Sequence, residues 1–160
     1  MIVVIKILNV FTVCFFGHRY VENYSELDRR VYKIICELIK TKEYVELLIG
    51  RDGEFDQLVS SAIIRAKRNI FDANSSHTWV LPYQKADYIN NSKELDKYYD
   101  SVEICDHSAS AHPKTAITLR NRNMIDRSEL CVFYVVHNSG GAFKAMEYAK
   151  KNNKTIILLQ

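Results

Sequence analysis

The chain has 160 residues, of which 48% are hydrophobic and 26% are charged. Its five glycines and two prolines exclude collagen-like, low-complexity and disordered chains. A chain of this length buries on the order of 70% of its unfolded surface, so it can build a core without disulfides or metals. We therefore expect one compact domain spanning residues 1–160.

The charge balance argues against a nucleic-acid partner. Lys and Arg number 22 and Asp and Glu number 19, which leaves a net charge of +3 and a pI near 8.6. A dedicated nucleic-acid binder usually carries a clustered basic patch, and no basic run occurs in this chain.

The amino-terminal end and the cysteines predict a cytoplasmic protein with no membrane partner. Lys6, Asn9 and Thr12 interrupt the apolar run at the amino terminus before an 18-residue span can form. The run also lacks a basic leading region and a small-residue cleavage site. The four cysteines are spaced without Cys-x-x-Cys pairs, as is typical of reduced thiols in a core.

Short apolar runs alternate with amphipathic stretches, which is the pattern of βαβ units. In chain order the predicted elements are strand Val10–Phe16, helix Leu27–Ile39, strand Tyr44–Ile49, helix Phe55–Ala66, strand Thr78–Leu81, a short helix Ser92–Tyr99, strand Val102–Ile104, helix Lys114–Asp126, strand Glu129–Val136, a helix from the Gly140-Gly141 turn through Lys150, and strand Thr155–Leu159. Ser25 or Asn23 is a candidate cap for the first helix. This alternation predicts an α/β protein with a Rossmann-like three-layer α/β/α fold and a mainly parallel sheet.

Glycines follow three of the predicted strands. They are Gly17, the pair Gly50 and Gly53, and the pair Gly140 and Gly141. Ligands of open parallel sheets bind beyond the carboxyl ends of the strands, where helix N-termini favour anions. Glycine at such turns permits a positive φ and a close approach to phosphate. One such glycine is ordinary turn chemistry, but three sets at one edge favour a binding cleft.

Four charged or titratable residues are candidates for the chemistry of this cleft. His18 and Arg19 follow the first strand, where Arg offers a bidentate fork for phosphate and His a donor that titrates near neutral pH. Arg120 lies on the helix from Lys114, and Glu147 lies on the helix after Gly141. Each has an alternative interpretation as a solvated turn residue or a surface charge.

Several common site motifs do not occur in the sequence. There is no G-x-G-x-x-G fingerprint, Walker A lysine motif, G-x-S-x-G elbow or H-E-x-x-H pair. The remaining histidines are scattered without a metal-ligand spacing. We therefore assign no metal and no cofactor.

Four segments together carry a family resemblance: F-F-G-H-R, G-R-D-G-E-F-D, R-N-R-N-M-I-D-R-S-E and S-G-G-A-F-K-A-M-E-Y-A. The chain resembles the YpsA-like branch of the SLOG superfamily, which groups the Smf/DprA and LOG proteins. The match runs from Phe15 to Leu159 and is thinnest over residues 72–114. It implies one SLOG-type Rossmann-like domain that binds a nucleotide or a nucleotide-derived small molecule, as a sensor or as an enzyme. The ligand-binding residues it implies are Gly17, His18, Arg19, Gly50, Gly53, Asp56, Asn121, Ser139, Gly140 and Gly141.

The resemblance also implies a catalytic pair. LOG enzymes cleave the bond between ribose and base, and they carry R-K-x-x-M and P-G-G-x-G-T-x-x-E, with the arginine and the last glutamate proposed as catalytic. Arg120 and Glu147 match those positions. Ser139 replaces the proline, and Phe143 and Lys144 replace the glycine and threonine that would line the phosphate. The bulk of Phe143 favours a binding module over a LOG-type hydrolase.

Three functions are consistent with these residues. The first is a cytoplasmic binding protein for a nucleotide or nucleotide derivative. The second is a nucleoside-monophosphate phosphoribohydrolase that uses Glu147 and Arg120. The third is DprA-like binding of nucleic acid, against which the charge balance argues. LOG-like relatives are commonly dimers, so the resemblance allows a homodimer with the helix from Lys114 as the candidate interface.

Overall fold

The computed structural model describes residues 1–70 and 73–160. Strands and helices alternate along these residues. They are β1 (Val10–Gly17), α1 (Tyr24–Thr41), β2 (Tyr44–Ile49), α2 (Glu54–Asn69), β3 (Ser75–Leu81), α3 (Ala86–Tyr98), β4 (Ser101–Ile104), α4 (Pro113–Asp126), β5 (Leu130–Tyr134), α5 (Gly140–Lys151) and β6 (Thr155–Leu158). Position 72, where the thinnest part of the resemblance begins, lies outside the described residues.

The strands form one six-stranded sheet in the order β4-β3-β2-β1-β5-β6, and every neighbouring pair is parallel. The predicted Rossmann-like three-layer α/β/α fold is confirmed. From β1 the chain moves outward strand by strand to β4, and it then returns to place β5 on the other side of β1. The ends of β1 and β5 therefore form the switch point, where sheets of this class open a crevice for ligands.

Alternate residues of the central strands serve two separate cores. Val13 and Phe15 of β1 pack toward α1 and α2, while Cys14 and Phe16 pack toward α4 and α5. β5 divides in the same way and is buried along its whole length. Successive side chains of a strand point to opposite faces, so burial on both faces explains the near-continuous apolar runs in the sequence.

The helices pack through apolar faces, as their periodicity predicts. α1 buries Leu27, Val31, Ile35 and Leu38 at steps of three and four residues. Its N-cap position is Asn23, which has a left-handed backbone (φ 51°) and makes no side-chain capping bond. None of the helices in the described parts of the chain is long and apolar enough to cross a membrane.

The largest difference from the predicted elements is at α3, which begins at Ala86 rather than Ser92. The helix is interrupted at Asn91, where φ is −123°. The side chain of Asn91 donates to the backbone oxygen of Asp87 at 2.9 Å, so it competes with the regular helical pattern. With Leu95 as its one buried residue, this helix leaves little periodic signal in the sequence.

Gly17, the last residue of β1, is required by packing. A Cβ added there would lie 2.6 Å from the Cβ of Phe55 and closer still to its ring. Phe55 is fully buried at the start of α2, and its ring stacks on Tyr134 of β5 with centroids 5.8 Å apart. The ring cannot move aside without disturbing both β5 and α2.

We therefore expect Gly17→Ala to destabilise the protein by about 1–3 kcal/mol, the usual cost of forcing extra atoms into a packed core. Urea unfolding followed by circular dichroism measures this change. Gly141→Ala is the matched control, because nothing lies within 4 Å of a Cβ built there, and it should not lower stability. Equal stability of the Gly17→Ala variant and the wild type would contradict this packing role.

Candidate functional site

A cleft of about 540 Å³ opens beyond the carboxyl ends of β1, β2 and β5. All ten of the predicted ligand-binding residues line it, together with Arg120. These residues are Gly17, His18, Arg19, Gly50, Gly53, Asp56, Arg120, Asn121, Ser139, Gly140 and Gly141. The fold thus gathers turns that are far apart in the sequence into one concave site.

His18 links the turn after β1 to the turn after β5 through hydrogen bonds. Its Nε2 accepts hydrogen bonds from the backbone N–H groups of Val136 and His137, each at 3.1 Å. Burial and the neighbouring ring of His137 lower the pKa of His18. Its imidazole is therefore neutral at pH 7, with the proton assigned to Nδ1 because Nε2 accepts. The role of His18 in this structure is to hold the turn after β5 against the turn after β1.

The first turn of α5 forms one end of the cleft. The first N–H groups of any helix lack intrahelical partners. Ser139, the N-cap residue of α5, makes no side-chain bond to them. Gly140 has a φ of +90°, a conformation that favours glycine. A Cβ at Gly140 or Gly141 would meet nothing within 4 Å, so the backbone here is open to a ligand. Such a turn is suited to bind an anion.

Among the described glycines, a positive φ occurs at Gly140. At Gly50 and Gly53, close packing explains why a side chain does not fit. A Cβ on Gly53 would lie 2.6 Å from the Cα of Arg19. At Gly50 it would lie 3.0 Å from Oδ2 of Asp56. The absence of a side chain at Gly53 lets the β1–α1 turn pack against the start of α2, and its absence at Gly50 leaves room for the carboxylate of Asp56.

Arg19 supplies an exposed cation at the cleft. Its backbone oxygen accepts a hydrogen bond from the N–H of Glu54 at 2.8 Å, which fixes its main chain on the start of α2. Among the described residues, no hydrogen bond or ion pair engages the guanidinium of Arg19. Its side chain is exposed and lines the cleft. The guanidinium is therefore free to meet a phosphate.

Arg120 is placed very differently. It is 4% exposed, and its Nη1 donates to the backbone oxygen of Val80 at 2.7 Å. Its Nη2 lies 3.2 Å from Oδ2 of Asp52. Within the described chain its Nε has no partner, nor has the buried Oδ1 of Asn121. Buried polar atoms are normally paired, so these two atoms are candidates to contact a ligand.

Two carboxylates at the cleft differ in their protonation. Burial opposes ionisation of Asp52, but the hydrogen bond from Lys85 at 2.8 Å and the charge of Arg120 outweigh it and lower its pKa. Removal from water raises the pKa of Asp56 to about 6, although the Asp52 amide donates to it at 2.8 Å. One carboxylate is thus firmly ionised, and the other takes up a proton just below neutral pH.

The structure adds cleft residues that the sequence did not indicate: Asp52, Tyr20, Ile117 and His137. Tyr20 directly follows Arg19 and Asp52 directly precedes Gly53, so proximity to predicted turn residues was the available signal. Glu147 does not line the cleft. It is half-exposed and lies 3.2 Å from Nζ of Lys150 on the same helix. Of the predicted catalytic pair, the cleft contains Arg120.

The fold and the cleft define a Rossmann-like α/β protein with a glycine turn and a helix N-terminus at the switch point of its sheet. No protein-family model matches the chain, and no curated protein sequence is significantly similar to it.

Two solved structures share this fold. DNA processing protein A from Helicobacter pylori, in a study of its single-stranded DNA binding mode, has a TM-score of 0.63 and 15% identity. DNA processing protein A (DprA) from Streptococcus pneumoniae has a TM-score of 0.68 and 16% identity. Each match covers 94% of this chain but 65% and 50% of the respective neighbours. The chain thus corresponds to part of each, and the similarity concerns the fold. The Smf/DprA–LOG superfamily and its YpsA-like branch stay predictions.

The expectation that the charge balance argues against a nucleic-acid partner is wrong. A protein of the same fold, from Helicobacter pylori, binds single-stranded DNA. Net charge averages over the whole surface, whereas a strand can be held by local backbone N–H groups and a few cations in a cleft. The value of +3 therefore carries no information about this site.

The protonation of Asp56 is directly testable. Its folded pKa of about 6 exceeds the unfolded value of about 3.9, so its contribution to stability is present at low pH and is lost as the pH rises toward 6. Carbon-13 NMR of the carboxyl group should show a midpoint near 6 that is missing from Asp56→Asn. The free energy of unfolding of that variant relative to wild type should rise by at most about 1.4 kcal/mol per pH unit between pH 4 and 6. A titration midpoint near 4 would show that the Asp56 carboxylate is hydrated and would contradict the raised pKa.

Proposed function

We propose that the protein binds single-stranded nucleic acid and that the cleft holds one nucleotide unit of the strand. The observation that carries this proposal is the meeting of two independent anion-binding elements in one cleft. These are the first turn of α5 at Gly140 and Gly141 and the free guanidinium of Arg19. A phosphodiester is the anion that both elements suit, since helix N-termini and arginine both donate to phosphate oxygens.

The polar atoms without partners in the cleft support a ligand with hydrogen-bonding groups of its own. Arg120 Nε is a donor and Asn121 Oδ1 is an acceptor. A nucleotide has both kinds of group on its sugar and base. The ionised Asp52 can accept a hydrogen bond from a donor of the nucleotide, while its ion pairs with Lys85 and Arg120 limit its repulsion of phosphate. The shared fold with DNA processing protein A supports the same class of ligand.

A free nucleotide or nucleotide derivative is the second candidate, and the cleft volume favours it. About 540 Å³ is within the usual range of small-molecule sites and suits one nucleotide. The cleavage of a ribose–base bond has less support, because Glu147 lies outside the cleft. The two binding candidates differ in whether affinity increases with the length of the strand.

Arg19→Ala tests the proposed site. Loss of one charge-assisted contact to phosphate should weaken binding of a labelled 12-nucleotide DNA strand by about 10- to 100-fold at 50 mM salt. Fluorescence anisotropy measures the dissociation constant. Arg68→Ala is the matched control, because Arg68 is also an exposed arginine but lies in the last turn of α2, away from the cleft. Equal losses in the two variants would indicate non-specific charge attraction and would contradict the proposed site.

Competition by short ligands separates the two candidates. A strand that passes through the cleft contacts more than one phosphate, so affinity should increase from a mononucleotide to strands of four and eight nucleotides. Nucleoside monophosphates should displace the labelled strand only at much higher concentration. If a mononucleotide binds as tightly as the strands, the free-nucleotide candidate replaces the strand.

A further inference from the structure

The mouth of the cleft has an apolar part that the anion-binding elements do not explain. Tyr20, in the β1–α1 turn, is 76% exposed, and Ile117, on α4, is 37% exposed. Both residues line the cleft, although they are far apart in the sequence. One concave site thus contains two exposed side chains that offer apolar surface.

Tyr20 is the most exposed aromatic residue in the described part of the chain. Phe15, Phe55, Trp79 and Phe133 are buried in the two cores. Several tyrosines have ring partners, such as Tyr134 with Phe55. Within residues 1–70 and 73–160, no ring contact or hydroxyl hydrogen bond engages Tyr20. Its ring is exposed to solvent at the edge of the proposed anion-binding cleft.

Arg19, the residue before Tyr20, suggests which part of a ligand lies near the Tyr20 ring. Tyr20 directly follows Arg19, whose main chain is fixed by the hydrogen bond from Glu54 and by the close approach of Gly53. A ligand whose phosphate meets the Arg19 guanidinium continues into the cleft that Tyr20 also lines. In a nucleotide, the sugar adjoins the phosphate and carries the planar base. Planar bases stack on aromatic rings, and apolar side chains cover the opposite face.

We propose that Tyr20 and Ile117 form a clamp that holds the nucleobase of the nucleotide bound in the cleft. This proposal rests on the proposed function, because it assigns the base of the same nucleotide whose phosphate Arg19 and α5 bind. Stacking uses the face of the base and not its hydrogen-bonding edge, so the clamp accepts all four bases. It should hold purines more tightly than pyrimidines because a purine presents a larger face.

The experiment compares a normal DNA strand with a strand of equal length and charge whose nucleotides are abasic. Tyr20→Ala should weaken binding of the normal strand by about 5- to 150-fold, which corresponds to the loss of one stacked base. It should leave binding of the abasic strand unchanged. Tyr20→Phe should bind both strands as the wild type does, since the ring is retained. Ile117→Ala should repeat the pattern of Tyr20→Ala with a smaller loss.

Tyr24→Ala is the matched control, because Tyr24 is an exposed tyrosine on α1 that does not line the cleft. Its substitution should change the affinity for neither strand. Tyr20 is exposed, so its substitution should leave the urea unfolding midpoint unchanged, which shows that the variant is folded.

The outcomes separate this proposal from the function on which it rests. If the strands bind through Arg19 but Tyr20→Ala binds the normal strand as tightly as wild type, the clamp is wrong and the strand-binding function stands. If Tyr20→Ala weakens both strands equally, the ring contacts the backbone and the clamp is again wrong. If wild type binds neither strand nor any mononucleotide, the proposed function itself is overturned, and Tyr20 with Ile117 then marks a surface for another partner.

Discussion

The contact between Gly17 and Phe55 is the constraint on which the site depends. Phe55 lies against the last residue of β1, where no side chain fits, and its ring stacks on Tyr134 of β5. The hydroxyl of Tyr134 accepts a hydrogen bond from the backbone N–H of Glu22 at 3.0 Å. This aromatic pair joins β1, α2, β5 and the loop before α1. It lies at the switch point of the sheet and beside the loop that carries His18, Arg19 and Tyr20.

The electrostatics of the cleft follow from the way its charges are paired. Asp52 lies between Lys85 and Arg120, so this group of three charges is largely compensated within itself. Asp56 adds little repulsion below pH 6, because removal from water favours its neutral form. Affinity for an anion is therefore left to the first turn of α5 and to Arg19. A whole-chain charge of +3 cannot report such an arrangement, because the decisive groups are backbone N–H groups and one unpaired side chain.

In the proposed function, three parts of the cleft correspond to three parts of a nucleotide. The turn at Gly140 with Arg19 suits a phosphate, the polar atoms at Asp52 and Arg120 suit hydroxyl and amine groups, and the mouth at Tyr20 suits a base. In the proposed function, backbone N–H groups of the first turn of α5 hold the phosphate, and backbone geometry survives substitution better than side-chain contacts do.

The sequence by itself determined the order and type of the elements and therefore the fold, because buried parallel strands and amphipathic helices have different hydrophobic periods. It failed at α3, where the kink at Asn91 and a single buried residue leave no period to detect. The turns of the cleft were predicted because parallel strands end at one edge. Tertiary structure alone decided which residues line the cleft: it buried and paired Arg120, left Arg19 free, kept Glu147 outside, and placed Tyr20 and Ile117 in the same cleft. Those outcomes depend on distances between elements far apart in the chain, and local sequence patterns carry no record of such distances.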